Sequence, residues 1–576
     1  MPGHSLRTVV GLLVGLLAVF ASADFASAQD EGGGDAGPSS VASAIDIDVE
    51  SFGVGNVLRP GDFAGVSVVL TDLVGTRARD VVVRLHVPDP DGDTMLAERR
   101  ITLNPGLRMR TWIYAPMPWT LPRVFTVTVN EATDTGPESS TVGRQLAATR
   151  VSPSVVRDAS TQLIGVVGAR VYALNQYELG MEPDAELSSL ERFDVVTGLS
   201  PEDLPDRWEG LLPYETIVWG DADPTRLGLQ RPRAIEEWVR RGGHLVVMMP
   251  SVGGVWFTRD DPLSSIMPDA TPVRVEDVSY EAYRMLLTSP DNDDVPLPRG
   301  ATVHAFERSE DAAWAWDAGP LISGPHGAVV TRRLVGAGMV TVVGLDLSDP
   351  DFVQRRILRA DAFWHRILGK TFPIPFVDPN SRAISKPNLP QVMLDRHFAG
   401  SIENTAQAGV GILLAVVVFV AYWLMAGPLG FGILKMNNWH RHAWIAFLGA
   451  VGVFGVVAWL GAQTLKESEV RATHLTFLDH VHGTSYQKAR SFTSVMMPGY
   501  GDRTIGVRAT GADEGVRQVL GAWNDPTGLG PTTRFPDART YAVAMDQAGA
   551  VRSPVRNTPK TLRAETGGGV SYPTIR

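Results

Sequence analysis

The sequence predicts a multidomain chain made of a β-sandwich, an open α/β sheet, a two-helix transmembrane hairpin and a β-rich C-terminal domain. Three observations predict it. Over 45–152, short apolar or alternating runs are set apart by turns rich in Pro, Gly and Asp. Over 155–370, continuous apolar runs alternate with stretches of helical apolar spacing. Further on, two apolar runs, 406–426 and 443–462, carry no charge at all. A chain of 576 residues has room for about three or four domains, and its 44% hydrophobic content is that of a folded protein.

Residues 1–28 read as an export signal. His4 and Arg7 form a polar head, 9–21 is apolar, and Ala26-Ser27-Ala28 is a small-x-small cleavage site before Gln29. Cleaved, or kept as an anchor, such a segment places the chain after it outside the cytoplasm. Residues 29–44, rich in Gly, Ser, Asp and Ala, are expected to form a flexible leader.

In 45–152 the strand-like runs are 66–71, 80–87, 99–103, 110–115 and 123–130. Their spacing suggests a sandwich of immunoglobulin-like type. The turn Asp89-Pro90-Asp91-Gly92-Asp93 admits two readings, a plain hairpin turn or half a calcium loop. It lacks the distal glutamate and the full spacing of an EF-hand.

In 155–370, runs 163–167, 194–198, 216–220, 244–250 and 340–345 read as strands. Residues 224–241 carry Ile235, Trp238 and Val239 at helical spacing, and Gly242-Gly243 ends that helix. Residues 351–368 read as another helix. The HLVVMMP run from His244 is apolar after its first residue, as strands covered on both faces are. The less regular stretch 252–320 is expected to be an insertion.

The segment from Glu215 through TIVWGDADP to RAIEEWVRRGGHLVVMMP resembles the class I glutamine amidotransferase-like, flavodoxin-related domain of bacterial envelope membrane proteins. The later run from Ala328, VVTRRLVGAGMVTVVGLDLSD, is similar to a closing segment of that group, and Gly427-Pro428-Leu429 resembles its junction between two spans. The resemblance covers roughly 155–465 and implies a degenerate domain of that fold outside the membrane. It departs from the enzymes at one decisive point. Amidotransferases attack with a cysteine on a strand-to-helix elbow, and this chain has no cysteine, so chemistry of that type is excluded.

Serine stands at the comparable turn. Ser251 with His326 as base and Asp346 as orienter is the hydrolase alternative, although no G-x-S-x-G elbow frames Ser251. Asp221 and Asp223 follow one apolar strand and Asp346 and Asp349 another. Ligands in open α/β sheets bind beyond such carboxyl ends; helix capping and solvation are the plainer roles. Gly336-Ala337-Gly338 lacks the rest of a dinucleotide fingerprint, and no cofactor is expected.

Residues 371–404 hold Pro373, Pro375, Pro379, Pro387 and Pro390 and read as an extended linker. Within 405–463, the spans 406–426 and 443–462 are each long enough to cross a bilayer core. Trp423, Trp444 and Trp459 sit near their ends, and Gly449 and Gly455 are small enough for close helix approach. The connection holds Lys435 and Arg441 and no acid, which puts it in the cytoplasm and the flanking domains outside.

Residues 464–576 are expected to form a second extracytoplasmic β-domain, one without a compact closing element. His474, His480 and His482 are its metal candidates, with surface positions as the plainer reading. The charge balance is 63 acidic against 52 basic residues, and the arginines are spread along the chain. Nucleic-acid binding is therefore not expected. Neither span carries a charge, so proton relay lacks its usual mark. The expected role is a non-catalytic protein of the bacterial inner membrane presenting domains to a ligand or an envelope protein partner. The alternatives are a membrane-anchored hydrolase and an accessory subunit of a transport or secretion complex.

Overall fold

The computed structural model describes residues 44–133, 142–158, 161–175, 192–250, 254–287, 296–307, 318–347, 360–369, 401–402, 408–465, 469–481, 486–507, 518–523, 537–556 and 558–568. The segment 1–28 read as an export signal, nearly all of the segment read as a leader and nearly all of 371–404 lie outside the described residues. The described chain is strand-rich and multi-sheeted, with two long apolar helices.

Two sheets enclose the N-terminal core. One is antiparallel, with Phe63–Asp72 between Ile45–Phe52 and Arg108–Pro116. The other orders Thr94–Leu103, Arg79–Pro88, Phe125–Ala132 and Val142–Val151, all antiparallel. Period-2 alternation makes these strands: Val81, Val83, Leu85 and Val87 are buried while their neighbours are half-exposed. The Phe52 ring from the first sheet meets the Phe125 ring from the second edge-on, 4.9 Å between centroids. A fifth strand, Thr540–Ala544, pairs in parallel with the outer edge of Thr94–Leu103. It comes from the segment read as a separate C-terminal domain.

A nine-stranded sheet follows. Arg192–Leu199, Thr161–Val167, Tyr214–Trp219, His244–Met248 and Gly338–Val343 lie side by side in that order, all parallel. Gly327–Val335, Ala301–Glu307 and Thr271–Val278 continue it in antiparallel fashion, and Ala318–Gly324 pairs with Gly327–Val335. Part of the stretch expected as an insertion, chiefly Thr271–Val278 and Ala301–Glu307, extends this sheet. Its strands are polar on one side and interrupted by turns, which masked their periodicity.

The helix Arg231–Arg240 buries Ala234, Ile235, Trp238 and Val239. It ends where Gly242 (φ 113°) and Gly243 turn back to donate to the carbonyls of Val239 and Trp238. The Gly336-Ala337 turn tucks beneath this end, with the Ala337 amide donating to the Arg240 carbonyl at 2.8 Å. A Cβ on Gly338 would lie 2.0 Å from the Val239 carbonyl oxygen. The glycines there serve close packing.

The apolar helices are Ala408–Ala426 and Ala443–Leu465. Between them, Gly427 breaks the first helix and Pro428–Met436 continues it, so the polar connection shrinks to 437–442. The two helices touch through Tyr422 and Phe454, ring centroids 5.8 Å apart. Contrary to expectation, a Cβ on Gly449 or Gly455 would meet nothing within 4 Å; Gly461, facing the Leu414 side chain, is the close approach. Ile412, Phe419, Val453 and Trp459 are more than half exposed. An apolar surface of this extent marks a membrane or partner contact.

After the helices, Arg471–His480, Gln487–Met496, Pro559–Gly568 and Val519–Ala522 form an antiparallel sheet in that order. Tyr500–Gly506 and Ala550–Arg556 form a ribbon. Ile402, just before the helices, packs on Phe492 and Trp523 of this region. One core runs from Ile45 through Trp238 to Ala564. The segments on either side of the helical pair are therefore built into each other.

Candidate functional site

Three parts of the chain meet around a cavity of about 280 Å³. The N-terminal sheets contribute Arg59, Asp62 and Trp119. The amino ends of the parallel strands contribute Gln162, Tyr214, Glu215 and the Arg241-Gly242-Gly243 corner. The C-terminal sheet contributes Lys488, Arg490, Phe492, Arg563 and Glu565. Strand geometry sets the last group. Lys488, Arg490 and Phe492 alternate onto one face of Gln487–Met496, and register places Arg490 opposite Glu565 and Phe492 opposite Arg563.

Five cationic side chains face three carboxylates here. Three of the cations are tied down. Arg59 bonds Asp62 at 2.6 Å and Glu215 at 2.7 Å. Arg563 bonds Glu565 and donates to the Gly61 carbonyl at 2.9 Å. Arg241 bonds Glu237 at 2.7 Å, itself held by the Tyr486 hydroxyl, and stacks over Trp208. The side chains of Lys488 and Arg490 make no ion pair or hydrogen bond among the described residues.

The electrostatics follow from this arrangement. Burial opposes the charge on Arg59, but Asp62 and Glu215 outweigh it and raise the guanidinium further. Burial lifts the Glu215 carboxyl, with Arg59 opposing. For Glu565 burial acts upward as well, yet Arg563, Lys488 and Arg490 prevail and hold it at about 2. Burial pulls Lys488 below its ordinary value, with Glu565 opposing and Arg490 adding to the fall. In the lining, the buried donors Trp119 Nε1, Arg490 Nε and Arg563 Nε and the buried acceptor Glu565 Oε2 have no hydrogen-bond partner among the described residues. Among the described residues, the lining holds no Ser, Thr, His or Cys. Its five cations and buried donors offer charge-assisted hydrogen bonds to a ligand.

The residues singled out from sequence lie elsewhere. Asp221, at the carboxyl end of Tyr214–Trp219, accepts from the amides of Ala169 (2.8 Å) and Arg170 (3.2 Å). Asp223 caps the short helix Pro224–Leu227 through the Thr225 amide at 3.0 Å. Asp346 follows Gly338–Val343, and its carbonyl accepts from the Tyr280 hydroxyl. Asp221 and Asp346 meet electrostatically at Tyr172, whose hydroxyl is raised by burial first and by both carboxylates in addition. His326 is exposed at the turn between Ala318–Gly324 and Gly327–Val335. Ser251 and Asp349 lie outside the described residues, so the Ser251–His326–Asp346 set has no described nucleophile.

His474 and His480 are exposed on one strand, bonded to Thr476 and Gln487 respectively. They lie six positions apart on that strand, about 20 Å, too far to share an ion. His482 lies outside the described residues.

The Asp89, Asp91 and Asp93 carboxylates do converge, within 4.8 Å of one another. The cation at their centre is the chain's own. Lys560 Nζ lies 2.5 Å from Asp91, 3.2 Å from Asp89 and 3.4 Å from Asp93. Arg556 bonds Asp93 at 2.6 Å, and the Tyr541 hydroxyl donates to Asp89 at 2.9 Å. Burial raises the Asp89 carboxyl, with Lys560 opposing. The turn is a hairpin turn that clasps the C-terminal strands.

No family model matches the chain, and no curated protein matches it. Among solved structures it is similar in part to a cytoplasmic protein of Salmonella typhimurium LT2, with 13% identity, a TM-score of 0.25 and coverage of 37% of this chain and 100% of that one. An exo-β-1,4-mannosidase from Opitutaceae bacterium strain TAV5 gives 18% identity, a TM-score of 0.21 and 36% of each chain. A β-galactosidase from Rahnella sp. R3 gives 10% identity, a TM-score of 0.19, 69% of this chain and 40% of that one. At such TM-scores a shared fold does not follow, and the chain spans well under half of either glycosidase.

Proposed function

We propose that the chain is a non-catalytic, membrane-anchored envelope protein whose two apolar helices hold one extracytoplasmic body for ligand or partner binding. The observation that carries this reading is the interlocking of the segments before and after the helical pair, above all Lys560 and Arg556 on Asp89–Asp93. Segments packed on each other share one side of a membrane, and two crossings return the chain to the side it left. The export-signal pattern and the Lys435 and Arg441 connection favour the outer side for the body.

The order of the five parallel strands, second-first-third-fourth-fifth along the chain, supports the flavodoxin-related reading of 155–370. The two facing antiparallel sheets support the immunoglobulin-like one. The ligand crevice expected between the first and third strands is where Asp221 already binds backbone amides, which favours binding elsewhere over chemistry there.

Because the chain has no native cysteine, single introduced cysteines report topology cleanly. With an impermeant maleimide on spheroplasts, Arg552→Cys should label directly and Asn437→Cys only after permeabilisation. Equal labelling of both, or the reverse order, overturns the proposal.

A further inference from the structure

We propose that the junction cavity binds a small oxyanion ligand carrying two or more negative charges. The inference rests on reading the body as a binding module but is independent of membrane orientation. The cavity, at about 280 Å³, has the volume of roughly nine water molecules, enough for a diphosphate or a tricarboxylate. Arg59, Arg241 and Arg563 are fixed by carboxylates and form a rigid wall. Lys488 and Arg490 stand next to each other on one strand face, and the carboxylate they share, Glu565, is already bonded to Arg563, so the five cations of the lining exceed its three carboxylates.

Like charges at that spacing repel, and burial sharpens the cost. A dianion would remove both penalties and give acceptors to the orphan donors of Arg490 and Trp119. The first and last walls come from segments more than three hundred residues apart along the chain, with the middle one between them, so binding would also hold the three parts together.

The test uses the full chain in mild detergent, at ionic strength fixed with sodium chloride. Binding of pyrophosphate, of citrate and of a neutral disaccharide is followed by calorimetry and thermal unfolding. Saturable binding of pyrophosphate or citrate, with a rise in Tm and none with the disaccharide, is expected; a preference for one identifies phosphoryl or carboxylate chemistry. The variant Lys488→Met/Arg490→Met keeps the side-chain stems and should bind at least about tenfold more weakly, as loss of a charge-assisted bond predicts. Its ligand-free Tm should fall, because the buried Glu565 loses two of the three cations that hold its charge; weaker binding is therefore read by calorimetry below that Tm. Lys488→Met alone serves if the pair does not fold.

Absence of saturable binding by both anions overturns the proposal, as does undiminished binding by the variants. Failure of the cysteine-labelling pattern would leave this result untouched, so the two readings fail separately.

Discussion

Replacing Lys560 by Met tests whether the charged clasp holds the C-terminal strands on the N-terminal sheets. The ammonium is 4% exposed, and the Asp89 and Asp93 side chains it serves are 2% and 0% exposed. Methionine fills similar volume but leaves three converging carboxylates with only Arg556, Tyr541 and backbone donors. Breaking a buried ion pair from one side costs about 3–5 kcal/mol, because the surviving charge stays desolvated. Urea unfolding of the detergent-solubilised chain at pH 7 should show a loss in that range.

The loss should shrink with acidity. Burial already raises Asp89, and removing Lys560 raises it further. A carboxyl whose folded-state value exceeds its unfolded value stabilises the fold below the unfolded value and loses that contribution as pH rises through the folded one. The variant should therefore lie closer to the parent at pH 5 than at pH 8. Millimolar calcium should recover part of the deficit, since the three oxygens within 4.8 Å then lack their ammonium. A loss below about 1 kcal/mol, or one independent of pH, would show that the clasp is dispensable and refute this reasoning.

Two further outcomes are expected. Glu565, held at about 2 against an ordinary 4.5, gives stability that is present above pH 4.5 and lost as pH falls toward 2. The difference corresponds to roughly 3 kcal/mol, and Glu565→Gln should flatten that part of the stability–pH curve measured by urea unfolding. Gly338→Ala pushes a methyl against the Val239 and Gly243 carbonyls, 2.0 and 2.4 Å from its ideal position. Thermal or urea unfolding should show about 1–3 kcal/mol of destabilisation from overpacking.

Local structure was readable where a single period ruled the segment. The run 80–87 appears as Arg79–Pro88 and the run 110–115 as Arg108–Pro116, because alternation and turn residues act within a few positions. The partner of Thr540–Ala544 was not readable. Its pairing with Thr94–Leu103 spans more than four hundred residues, and such a pairing leaves no periodic mark. The candidate site was missed for a related reason. The carboxyl ends of the strands carry Asp221, Asp223 and Asp346, whereas the cavity opens at the amino ends, around Gln162, Glu215 and Gly243. One local sign existed, the alternation Lys488-Ala489-Arg490-Ser491-Phe492, which puts two cations on one face of a strand.

The parallel strand Thr540–Ala544 also bears on how the protein is made. Until it is synthesised, the backbone groups on the outer edge of Thr94–Leu103 have no ladder partner. An emerging N-terminal half would wait through synthesis of both apolar helices with a half-finished sheet. Chains halted after the helices should therefore be prone to edge-to-edge association and proteolysis. Completion of the first sheet would be among the last events in biogenesis, and folding would be paced by delivery of the final third of the polypeptide.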